Sequence, residues 1–115
     1  MAHSITRASD IPRVGKYDMR IDVYPNIAKC GMITASTDVG HNQEFYHKTS
    51  TFHYIILEGG GSFFLNDEEV PVHTGDLLSV EPNTRIYYKG KMRLVLITDP
   101  AWKEEDEVET RAKIW

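Results

Sequence analysis

Cysteine is almost missing: Cys30 stands alone among 115 residues, so no disulfide can close within the chain and no thiolate cluster can hold zinc. A reducing, cytoplasmic compartment is the expectation. There is no cationic excess either, with 13 Lys and Arg against 17 Asp and Glu and a formal net charge of -4. That balance supplies no broad basic face for nucleic acid or an anionic membrane surface, and neither is an expected partner. No apolar run approaches the roughly 18 residues that span a bilayer. The first residues, Met1-Ala2-His3-Ser4-Ile5-Thr6-Arg7, lack the apolar stretch of a signal peptide. Helical spacing of apolar residues is nearly absent, and so are internal repeats and low-complexity segments.

What is present is an ordinary globular composition, 41% apolar and 26% charged, enough to build one core. We read residues 1–115 as a single domain with its core over about 20–98 and a tail over 99–115. Short β-branched and aromatic runs predict strands at Arg20–Tyr24, Ala28–Ser36, Glu44–Lys48, Thr51–Glu58, Ser62–Asn66, Glu69–His73, Leu77–Glu81, Arg85–Lys89 and Met92–Thr98. Between them lie turn formers: Gly59-Gly60-Gly61, Asn66-Asp67, Thr74-Gly75-Asp76 and Pro82-Asn83. Asp76 reads as an acceptor for backbone N–H groups within its own reversal. Many short strands without alternating helices predict an all-β antiparallel sandwich or barrel. Ser9-Asp10-Ile11-Pro12 reads as an irregular lead-in, and Lys103-Glu104-Glu105-Asp106-Glu107 as a solvated acidic run. The apolar tail residues Trp102, Val108, Ile114 and Trp115 are too large to leave loose, so part of the tail should pack on the barrel or on a second subunit.

The stretch His47-Lys48-Thr49-Ser50-Thr51-Phe52-His53-Tyr54-Ile55-Ile56-Leu57-Glu58-Gly59-Gly60-Gly61 resembles the first motif of the cupin superfamily, and Gly75-Asp76-Leu77-Leu78-Ser79-Val80-Glu81-Pro82-Asn83-Thr84 resembles the second. The resemblance covers roughly residues 40–98 and implies a double-sheet, jelly-roll type barrel. It also implies where a cupin metal site would sit: at Phe45, His47, Phe52 and Ile86, of which only His47 offers a ligand atom. A divalent metal needs three or more converging N, O or S donors, so no metal and no other cofactor is expected. A rearranged metal site joining His53, with His41 from the preceding loop, to His47 is the alternative.

In the family's register Phe45, His47, Phe52, Tyr54, Ile56, Ile86 and Tyr88 face the interior. Such an aromatic pocket suits a small organic ligand. His47 is then the inward group that exchanges a proton near neutral pH, with Tyr54 or Tyr88 as its partner. The leading reading is metal-independent proton transfer of the isomerase, epimerase, cyclase or lyase type with His47 as base. Phe45, Phe52, Ile56 and Ile86 would shape the ligand site. The rival readings are a non-catalytic module that binds or senses a small ligand, and a metalloenzyme using His47 and His53. Arg85 and Arg93 could reach an anionic ligand group, whereas Cys30 reads as a small buried hydrophobe. Open sheet edges predict a homodimer.

Overall fold

The computed structural model describes residues 2–16 and 18–111; Ile114 and Trp115, expected to pack with the tail, lie outside them. The described residues form ten strands: β1 Arg13–Lys16, β2 Met19–Ile27, β3 Cys30–Thr37, β4 Gly40–His47, β5 Thr51–Leu65, β6 Glu68–His73, β7 Leu77–Val80, β8 Ile86–Lys89, β9 Met92–Asp99 and β10 Glu107–Glu109. Single 3-10 turns occupy Ala8–Asp10 and Glu104–Asp106. Every pairing is antiparallel. One sheet runs β1-β2-β3-β9-β5-β7 and the other β6-β5-β8-β4-β10, so the expected all-β double sheet is found, joined through β5. No helix among the described residues is long and apolar enough to cross a membrane.

Three local features depart from the sequence reading. Thr51–Glu58 and Ser62–Asn66 are one strand, because Gly59-Gly60-Gly61 bends the chain and does not reverse it. Through Gly59, β5 pairs with β9; from Gly60 it pairs with β6, and from Ser62 with β8. Gly59 has φ +79°, and a Cβ there would fall on the Lys91 carbonyl. Only glycine lets the strand pass from sheet to sheet so close to the β8–β9 hairpin. Second, β4 begins at Gly40 rather than Glu44, and β3 begins at Cys30 because Ala28, at φ 54°, belongs to the preceding turn. Third, β1 and β10 lie outside the core read over about 20–98, β1 after the Ser9-Asp10-Ile11-Pro12 lead-in and β10 in the tail. β10 lies on β4, with Glu107 opposite His47 and Val108 opposite Tyr46. The sheet margins among the described residues are the short strands β1, β7, β6 and β10.

The core lies between the sheets. Phe45, Phe52, Tyr54, Ile56, Ile86 and Tyr88 are all buried, as the inward register requires, together with Phe63 and Leu94. Alternation along β5, with Phe52, Tyr54 and Ile56 in and His53 and Ile55 turned out, carries the pattern. Asp76 accepts the His73 backbone N–H at 2.7 Å and shapes the β6–β7 turn. Cys30 is a free thiol, only partly buried.

Candidate functional site

A cavity of about 380 Å³ opens between the two sheets. Its floor is aromatic: Phe45 from β4, Phe52 and Tyr54 from β5, and Tyr88 from β8. Behind them Phe63 stacks on Tyr88 with ring centroids 4.4 Å apart and meets Tyr54 at 4.7 Å. These buried rings hold both phenols in fixed positions. Leu94, Leu96 and Ile33 line one wall, and β1 and the tail supply the polar rim: Lys16, Trp102 and Glu107. Trp102 is 43% exposed, and its Nε1–H donates to Glu107 Oε1 at 3.0 Å. Glu107 Oε2 lies 3.8 Å from Lys16 Nζ.

His41 is the histidine that reaches this cavity. Its ring centroid lies 5.1 Å from that of Phe45 and 5.6 Å from that of Tyr88. A β-bulge places it there. The β4–β8 register runs His41 to Tyr88 and then Phe45 to Ile86, so four steps on β4 match two on β8. The added residues carry Gln43 and Glu44 out of the ladder while His41 and Phe45 both line the cavity. Burial pushes the His41 imidazole down to about 4, and the Lys16 ammonium acts in the same direction against hydrogen bonding at the Gln43 backbone. The ring is therefore neutral at pH 7 and able to accept a proton. Burial raises both Tyr54 and Tyr88, so each keeps its O–H as a donor. The Tyr88 hydroxyl faces Met19 Sδ at 3.5 Å.

His47, expected to be the base, is placed differently. It is buried at 2% exposure but does not line the cavity. Its Nδ1 accepts the Ser50 backbone N–H at 3.0 Å, and its Nε2–H donates to the Lys103 carbonyl at 3.1 Å. Both nitrogens are spent on tying the β4–β5 turn to the tail. His53 points to the outer face, with Nδ1 2.7 Å from Ser79 Oγ, so the rearranged set His41, His47 and His53 does not converge. Among the expected ligand residues Phe45 and Phe52 line the cavity, while Ile56 and Ile86 pack in the core. Arg85 is committed to Glu44 and Asp67, and Arg93 to Glu58.

The cupin metal positions hold Phe45, Phe52 and Ile86, whose carbon side chains donate nothing, beside a histidine whose nitrogens face backbone groups. These residues do not fit a metal ion. Among the described residues no group of three or more His, Cys, Asp or Glu is arranged to hold one elsewhere.

The sequence reading missed Lys16, Trp102 and Glu107 as rim residues and weighed His41 only as a ligand. The Gly40-His41-Asn42-Gln43-Glu44 segment is too polar to read as strand, and a bulge defeats period-two counting.

No protein-family model and no curated protein sequence matches the chain. Among solved structures it is similar to Pac13 from Streptomyces, a nucleoside dehydratase, at 34% identity and TM-score 0.92 over 97% of this chain and 94% of that one. Three Pac13 structures, one with a His-to-Gln and two with Tyr-to-Phe substitutions, hold uridine. KdgF from Halomonas sp. shares the fold at 10% identity and TM-score 0.75, over 90% of this chain and 98% of that one. Ectoine synthase from P. lautus does so at 14% and 0.74, over 98% and 94%. At the identity found with Pac13, over nearly the whole of both chains and on a barrel of this topology, the protein is a member of the cupin superfamily.

Proposed function

We propose that the protein is a metal-independent lyase that removes water from a nucleoside or close analogue, with His41 as the base. One observation carries this reading: a neutral imidazole shares an aromatic cavity of nucleoside dimensions with two protonated phenols, Tyr54 and Tyr88. Likeness to Pac13 supports it. The histidine and the two tyrosines exchanged in the uridine-bound Pac13 structures each carry a number one above His41, Tyr54 and Tyr88.

The chemistry is an elimination. Neutral imidazole takes a proton from a sugar carbon acidified by a neighbouring carbonyl, and the electron pair of that C–H bond becomes the new C=C bond. The C–O bond at the next carbon breaks, and the hydroxyl leaves as water with the proton that the imidazolium returns, which restores the neutral base. Tyr54 and Tyr88 orient the sugar and stabilise charge on the carbonyl oxygen. Phe45 and Phe52 give the base a flat apolar surface.

Mass spectrometry of nucleosides carrying a sugar carbonyl should show the loss of one water. His41→Gln should lower turnover about a hundredfold or more while uridine binding, followed by calorimetry, stays within a few-fold of wild type. His47→Ala should instead lower the melting temperature and leave turnover per folded molecule largely intact. Wild-type turnover in His41→Gln would remove His41 from the mechanism, and no water loss from any such nucleoside would remove the reaction.

A further inference from the structure

Glu44 has no part in the chemistry above, yet it is the most heavily bonded carboxylate in the described structure. Its side chain is 1% exposed. Oε1 accepts from Thr110 Oγ1 at 2.7 Å and from Arg111 Nε at 3.0 Å; Oε2 accepts from Arg111 Nη2 at 2.6 Å and from Arg85 Nη1 at 3.2 Å. Asp67 ties the two guanidiniums together from outside, 2.8 Å from each. The backbone repeats the connection: Glu44 N–H donates to the Arg111 carbonyl and Thr110 N–H to the Glu44 carbonyl, both at 2.9 Å. Gln43 Nε2 adds bonds to the Arg111 and Glu44 carbonyls.

The location gives this cluster its meaning. Glu44 sits inside the β4 bulge, between His41 and Phe45, and at Thr110 and Arg111 it clamps the tail whose strand β10 carries Glu107 to the cavity rim. Between His41 and Phe45 the bulge makes no register pairs with β8, so the groups on its other side must hold its shape. A carboxylate this deeply buried is stable only while its cationic partners stay.

We propose that Glu44, latched by Arg111, is a positioning residue: it locks the β4 bulge that aims His41 into the cavity and, through the same bonds, seats β10 with Glu107 at the rim. The functional weight of this placement rests on reading His41 as the reacting base, but the placement itself is measurable without substrate.

The test uses the full chain with Glu44→Gln and Arg111→Gln, the second chosen because its exposed side chain can be replaced without leaving a hole. Proton NMR should show the His41–Phe45 and His41–Tyr88 ring cross-peaks weakened in both variants, while the Tyr54–Phe63 cross-peak in the core persists. A loss of general stability would not produce that selective change. Uridine affinity, used as the probe, should fall about tenfold because β10 loosens and Glu107 leaves the cavity rim. Should Glu44→Gln fail to fold, Arg111→Gln decides alone. His41 cross-peaks at wild-type strength in a folded variant would overturn the proposal. If wild type binds no uridine but the His41 cross-peaks weaken, the latch stands and the nucleoside reading falls.

Discussion

Histidine placement separates the residues that resemble each other in sequence. His47 lies in the recognisable motif and is bonded at both nitrogens to backbone; His41 lies in a polar segment without a motif and faces the cavity. The consequence is measurable through pH. An unfolded histidine takes its proton near 6.5, whereas folded His41 takes it only near 4. Between those values the unfolded chain binds more protons, so stability falls as pH falls through the window, by up to about 3 kcal/mol. Urea melts at pH 7 and pH 4.5 should show a smaller pH-dependent loss in His41→Gln than in wild type. An identical loss in both would mean that other groups account for it.

Strand geometry, rather than strand identity, positions the site. β5 crosses between sheets at Gly59, and β4 bulges between His41 and Phe45. Two glycines with positive φ allow the first of these to be tested. Gly75, at φ +92°, has no atom within 4 Å of an added Cβ, while at Gly59 the Cβ would meet the Lys91 backbone. Gly75→Ala should cost about 1 kcal/mol, the ordinary penalty of a left-handed backbone. Gly59→Ala should cost about 2 kcal/mol or more, because the neighbouring hairpin must also move. Thermal melts of the two variants make the comparison, and equal losses would show that the crossing tolerates a side chain.

At the scale of the molecule, the tail is part of the barrel. β10 adds to β4, the Ser50 hydroxyl donates to the Pro100 carbonyl at 2.7 Å, and Lys48 N–H donates to the Asp106 carbonyl at 2.9 Å. A chain ending at Pro100 would lose Trp102 and Glu107 from the rim and leave Glu44 with Arg85 as its remaining charged contact within 4.0 Å. The same cut uncovers Glu44 to water, so the loss is that of its charge-assisted bonds to Thr110 and Arg111, about 1.5–3 kcal/mol. Denaturant unfolding should show a loss of that order, and calorimetry the loss of uridine binding. Unchanged binding by the truncated chain would place the ligand away from the rim.

The family resemblance supplied the inward set Phe45, His47, Phe52, Tyr54, Ile56, Ile86 and Tyr88 and the positions where cupin metal donors are missing, whereas the residues by themselves determined the all-β character and most strand positions. The last two follow from alternation and turn chemistry, which act between near neighbours. Only the tertiary structure decided which histidine meets the cavity, that Gly59 bends a strand without ending it, and that the acidic tail supplies a strand and two rim residues. Each of these depends on contacts across dozens of residues: a bulge set by the mismatch of β4 with β8, a glycine run set by the approach of the β8–β9 hairpin, and a tail held by Glu44.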